Sequence, residues 1–203
     1  MKLYYSRGAC SLSPHIVLHE AGLTFDTESV NLADKKTASG GDYREINPKG
    51  YVPALRLDNG DVLTEGPAIV QYLADQVPEK QLIPAAGSME RYHLIEWLNF
   101  ISSEVHKTFS PLFKPNTPEE TKQASRDTLA VRLDIVEKQL QGRDYLTGNH
   151  FSVADAYLFT VLNWARPMKI ELDRWPAVQA FMQRVAARPA VRAAMLAEGL
   201  IKE

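Results

Sequence analysis

The segment that constrains this chain most is Ser152-Val153-Ala154-Asp155 followed by the run AYLFTVLNWA. A serine at an N-cap and an aspartate three residues later satisfy each other's otherwise orphan backbone N–H groups, and Phe151 and Ala156 stand at the flanking staple positions. The helix that begins here is apolar on every face, so it belongs in a core surrounded by other helices. Candidates for those neighbours follow from helical spacing of apolar residues. Met89 to Val105 reads as one long helix. Thr117-Pro118-Glu119-Glu120 opens another, with Thr117 as N-cap, Pro118 at N1 and Glu120 at N3, running to about Leu140. Trp175 to Ala187 and Ala190 to Ala197 complete a helical half.

The chain before Val77 is organised differently. Lys2 to Tyr5 and Phe25 to Leu32 are β-prone, and between them Pro14 to Ala21 has helical spacing with Gly22 as its stop. A Lys, Ser and Gly-rich stretch follows. Val52 to Leu57 and Val62 to Thr64 then flank Asn59-Gly60, a strong hairpin signal. Pro67 to Gln76 carries a helical stripe. The predicted order is β-α-β-α-β-β-α, an α/β fold, joined to the all-α half. Pro78, Pro84 and Gly87 mark a linker, giving domains 1–77 and 89–203 with 78–88 between them.

With 203 residues, 45% hydrophobic and 24% charged, the chain can bury a substantial core. A formal net charge of -2 gives no reason to expect a nucleic-acid partner. No window approaches the roughly 20 apolar residues of a membrane helix, and the beginning lacks the basic and apolar regions of a signal peptide. A lone cysteine, Cys10, fits a reducing compartment, so a cytoplasmic protein is expected. The histidines offer no metal-binding spacing, and no metal site is predicted.

Cys10 falls between the first strand and the first helix, where unsatisfied N–H groups favour an anion and lower a thiol's pKa. A lone cysteine is as readily a packing residue. Ser11 and Ser13 can donate to an anion there or simply cap the helix. Val52-Pro53 can expose backbone groups to an extended ligand, although a trans proline at a strand edge is the ordinary expectation. Glu65-Gly66-Pro67 opens a helix. There Glu65 can cap or hold an ammonium, and Gly66 can let a carboxylate approach the backbone. On periodicity alone, Asn99, Ser103, Glu104, His106 and Lys107 read as a solvated helix face.

Together, MKLYYSRGACSLSPHI, INPKGYVPAL, LTEGPAIVQYLAD, EWLNFISSEVHKTFSPLF and FSVADAYLFTVLNWA resemble the glutathione transferases, in detail the bacterial beta class. The resemblance covers almost the whole chain. It implies a thioredoxin-like amino-terminal domain, a cis bond at Pro53, a helical second domain shaping the electrophile site, and a homodimer. It gives Val52 the backbone pairing with glutathione, and Glu65 and Gly66 the γ-glutamyl end, where many relatives carry Ser in place of Gly66. Lys35 would lie near the glycyl carboxylate, and Asn99, Ser103, Glu104, Val105 and His106 would line the site. Cys10 would stand beside the glutathione sulfur, with His106 as proton partner and Tyr5 or Ser11 as reserve donors. The expected reaction is conjugation of the glutathione thiolate to small hydrophobic electrophiles, with glutathione as co-substrate and no prosthetic group. Phe109, Phe113, Trp164 and Met168 are candidates for the electrophile pocket. Alternative activities are glutathione-dependent thiol-disulfide exchange or reductive dehalogenation through Cys10, and a non-catalytic ligand-binding role.

Overall fold

Parallel pairing of β1 (Lys2–Tyr5) with β2 (Asp26–Asn31) requires a crossover, which α1 (Leu12–Ala21) supplies. Gly22 ends α1 at a φ of 68°, a left-handed stop in which its N–H returns to the His19 and Leu18 carbonyls. On the other side of β1 runs the antiparallel hairpin of β4 (Ala54–Arg56) and β5 (Val62–Thr64). A short β3 (Lys36–Thr37) completes a five-stranded sheet in the order β3-β2-β1-β4-β5. These coordinates, a computed structural model, describe residues 1–202.

Strand alternation fixes two faces. Tyr4 opposes Ala54 on one, in a buried cluster with Val30, Tyr43 and Val52. Leu3 opposes Leu55 on the other, and both are fully buried. α2 (Gly66–Asp75) packs on α1 and against β4 and β5. Where the sequence reading put a second helix between the strands, the chain makes β3 and a single 3-10 turn, Tyr43–Glu45. Gly40-Gly41 and Asp42 favour turns, and the Asp42 carboxylate accepts the Arg44 N–H.

The chain divides into two compact units, Met1–Ile83 together with the chain from Ala187 onward, and Pro84–Ala186. The sequence division 89–203 therefore differs from the structure at its end: α8 (Pro189–Ala197) packs on α1 in the first unit. Buried Glu198, just past α8, accepts the Gly8 N–H at 2.8 Å and shares a 2.9 Å hydrogen bond with His15 Nδ1. Arg188 also pairs with Glu20 of α1. Such pairs join residues far apart in the chain and leave no periodic trace.

The regular elements of the second unit are helices, apart from an isolated bridge between Tyr145 and Gly148. α3 (Met89–Phe100) continues through a π-helical segment, Ile101–His106, into α4 (Lys107–Phe113), so the predicted helix runs two turns further and widens in the middle. α5 spans Glu119–Leu140, α6 Val153–Leu162 and α7 Pro176–Ala186. Pro118 rather than Thr117 is the N-cap of α5, because its ψ of 144° holds it outside the helix. Every residue of α6 is buried. Asp155 accepts the Ser152 N–H at 2.8 Å, the Ser152 hydroxyl at 2.7 Å and, from outside the helix, the Leu146 N–H at 2.9 Å.

Candidate active site

Cys10 sits in the turn that leads from β1 into α1 and is partly exposed rather than buried. Its Sγ donates to the Val52 carbonyl at 3.2 Å, and the Val52-Pro53 bond is cis. The ordinary expectation of a trans bond is thus overturned in favour of the one that the resemblance implied.

The reserve donors are placed elsewhere. Ser11 is fully buried, and its hydroxyl both accepts the Ser6 N–H and donates to the Ser6 carbonyl, which makes it a brace for the loop. Ser13 donates to the Cys10 carbonyl. Tyr5 follows Tyr4 on the strand and so faces the opposite way, its ring 5.7 Å from that of His15. Sequence reasoning missed Tyr43, which braces the turn into Val52. Tyr43 donates to the Tyr51 carbonyl at 2.8 Å, beside a second donor from Asn47, and together they fix the turn into Val52. Burial pushes the Tyr43 phenol up to about 12, against the pull of its hydrogen bonding with Asn47. Nothing in its sequence neighbourhood marks Tyr43, since its role depends on a turn closing over it.

Glu65 is the N-cap of α2 through its backbone carbonyl, but its side chain does not cap: the carboxylate turns instead to Lys49 Nζ at 2.6 Å. Its φ is 69°, a left-handed conformation that costs a non-glycine residue about 1–3 kcal/mol. Gly66 is buried at the first position of α2, and a Cβ there would stand 3.9 Å from both Pro53 and Ser13. Lys35 Nζ donates to the Gly50 carbonyl, whereas Lys36 lies on the exposed edge strand. Within the first unit, Cys10, Val52, Glu65, Gly66 and Lys35 are thus linked through the turn 47–53.

In the second unit, the π-helical segment carries most of the remaining candidates. Ser103 bonds back to the Asn99 carbonyl, and Glu104 pairs with Arg132 of α5 at 2.7 Å. Val105 is fully buried, so its side chain lines the core and not a surface site. His106 Nδ1 lies 2.7 Å from the Tyr157 hydroxyl, and its ring stands edge-on to Trp164 at 4.8 Å. Trp164 also meets Phe109 at 5.6 Å and Phe113 at 5.2 Å. Three of the four residues expected to line the electrophile pocket therefore share one aromatic cluster. Met168 lies one turn beyond Trp164.

Comparison with known proteins decides the family. The chain is 52% identical over 200 residues to glutathione S-transferase GstA of Escherichia coli O157:H7, covering 98% of this chain and all of that protein. The chain belongs to the glutathione S-transferase family. Residues 8–76 match the model of the glutathione S-transferase N-terminal domain, and residues 100–189 that of the C-terminal domain. This transferase superposes on the ternary complex of BphK, a bacterial GST, with a TM-score of 0.97 at 63% identity, covering 98% of this chain and 100% of that one. It is similar also to a sphingomonad glutathione S-transferase complexed with glutathione, TM-score 0.95 and 49% identity over 99% of this chain and 100% of that one. A beta class transferase of Sphingomonas chungbukensis gives 0.96 at 47% identity, covering 99% and 100%.

The transferase keeps His106 neutral near pH 7. Burial, and then the Lys107 charge, lower its pKa from 6.5 to about 4. The unfolded chain binds this proton more readily between those values, so stability from this group is lost as pH falls from about 6.5 toward about 4, by roughly 3 kcal/mol in all. Thermal unfolding at pH 5 and pH 7 checks this. His106→Gln should lose less stability on acidification than the wild type, and an equal loss would place the effect elsewhere.

Proposed function

We propose that this transferase activates glutathione in its first unit through the Cys10 turn, the Val52 backbone and the Glu65-Gly66 helix start, and conjugates it to small hydrophobic electrophiles. The observation that carries the reading is Cys10 held against the Val52 carbonyl at a cis Val52-Pro53 bond. Val52 stands just before β4, where an extended peptide can pair with its backbone. Glutathione is a tripeptide of that kind. Its γ-glutamyl ammonium suits the exposed Glu65 carboxylate, and its α-carboxylate suits the N-terminus of α2. Lys35 suits the glycyl carboxylate.

Glutathione's thiol, with an ordinary pKa near 8.5, is only a few per cent ionised at neutral pH, and lowering that value by about two units multiplies the thiolate roughly tenfold or more. The start of α1 beside Cys10 supplies N–H groups that favour the anion. The thiolate attacks an electrophilic carbon, and the leaving group departs or the double bond is protonated. The aromatic cluster of Phe109, Phe113 and Trp164 in the second unit suits an apolar, partly aromatic electrophile. A cytoplasmic homodimer completes the reading.

Calorimetric titration of glutathione, with conjugation to a chloronitrobenzene followed on the same samples, tests it. Wild type should bind and conjugate. Cys10→Ala should bind within about threefold of wild type and lose about tenfold or more in turnover. Absence of binding to the wild type would remove the site assignment. Faster reduction of a glutathionylated disulfide than conjugation would favour thiol-disulfide exchange.

A further inference from the structure

We propose that Tyr157 is a positioning residue whose phenol donates to His106 Nδ1, placing the imidazole proton on Nε2 and making His106 a hydrogen-bond donor rather than a base. The inference rests on the reading that the aromatic cluster receives the electrophile.

Three observations carry it. First, the hydroxyl to Nδ1 distance is 2.7 Å. That is a short, well-formed hydrogen bond that holds the two groups in register. Second, the groups are matched in one direction only. A phenol O–H, with a pKa near 10, is a better acid than a neutral imidazole N–H, and an imidazole nitrogen is a far better base than a phenol oxygen. Third, the ring has little freedom to choose otherwise. Tyr157 is 2% exposed on the wholly buried α6, edge-on to the imidazole at 78°, and Trp164 meets it at 67°. His106 closes the π-helical segment, where the wider turn shifts side chains out of α-helical register. Because burial keeps the ring neutral, a proton on Nε2 leaves Nδ1 bare, as the phenol requires.

A neutral Nε2–H stabilises negative charge that develops on oxygen. In addition to an α,β-unsaturated ketone, the glutathione sulfur pair forms the S–C bond at the β-carbon. The C=C pair moves onto the carbonyl oxygen as an enolate, and the α-carbon then takes a proton from water. In displacement at a nitroaryl chloride, the charge moves onto the nitro oxygens before the C–Cl bond breaks and chloride leaves. An alkyl iodide puts charge only on the departing iodide. The donor tautomer therefore selects enones and nitroaryl halides over alkyl halides.

Nitrogen-15 NMR of the histidine-labelled enzyme at pH 7, with His106→Gln to assign the resonance, reads the tautomer directly. Protonated Nε2 with bare Nδ1 is expected, and protonated Nδ1 overturns the proposal. This readout needs no turnover, so it decides the tautomer even in an enzyme that conjugates nothing, a result that would count against the electrophile reading instead. Tyr157→Phe should lower the ratio of kcat/KM for an enone to that for an alkyl iodide about tenfold, while equal losses on both overturn the selectivity. His106→Gln, whose amide can donate from the Nε2 position, should keep the preference that His106→Asn loses. That pair carries the test where Tyr157→Phe does not fold.

Discussion

Asp155→Ala is expected to destabilise the protein by about 3–5 kcal/mol, because it strips a buried acceptor from three donors at once. The Ser152 N–H and the Leu146 N–H are backbone groups that cannot turn to water, and the Ser152 hydroxyl loses its partner as well. For a chain of this length the melting temperature should fall by roughly 6–20 °C, read by circular dichroism. Burial raises the Asp155 pKa to about 6, against the pull of its hydrogen bonds. A raised folded-state value means that this group's stabilisation is full below the unfolded pKa near 3.8 and shrinks as pH rises through about 6. The difference between wild type and variant should therefore widen as pH is lowered from 7 toward 4. A melting temperature within about 2 °C of wild type would mean that the helix start is held by something other than this carboxylate.

Replacing Glu65 should separate binding from folding. Glu65→Gln removes the charge that the ligand ammonium would meet, worth about 1.5–3 kcal/mol, so glutathione affinity should drop roughly 10- to 150-fold. Glu65→Gly removes the same carboxylate and also relieves the left-handed backbone at φ 69°, so it should weaken binding as much while stabilising the fold by about 1 kcal/mol. The Lys49 pair hardly confounds this, since its side chains are 51% and 66% exposed and such pairs contribute about 1 kcal/mol or less. Calorimetry and thermal melts on the same samples give both readings. Unchanged affinity in Glu65→Gln would show that Glu65 serves the turn and not the ligand.

Both residues were visible in the sequence, but for different reasons. The capping pair Ser152 and Asp155 is local, three residues apart, and its geometry follows from helix periodicity alone. Glu65 stood out as the opening of a helix, yet capping and ligand binding could not be told apart there. The structure excludes side-chain capping only, because the carboxylate turns to Lys49. Lys35, the residue that the resemblance implied, lies against Gly50, whereas its neighbour Lys36 stands on an edge strand. Tyr5 and Ser11, the reserve donors, are set by strand alternation beside His15 and by a local brace against Ser6. Tyr43, Lys49 and Tyr157 went unmarked because each acts on a partner brought close by a turn or by a second helix.

Periodicity, turn chemistry and caps determined the strands β1, β2 and the β4–β5 hairpin, the helices α1, α2, α5 and α6, and the break between an α/β start and a helical remainder. These signals are short-ranged: an apolar stripe, an Asn-Gly turn or a capping box is complete within a few residues, and the chain carries it wherever it goes. Tertiary structure alone decided what depends on packing between distant segments. The Glu137 carboxylate receives the Ala177 and Val178 N–H groups and so starts α7 from another helix. Glu198 ties α8 back to His15 and Gly8, and the π-helical turn delivers His106 to Tyr157. In each case a buried polar group had to find a partner, and which one it found was set by which surfaces the apolar residues had brought together.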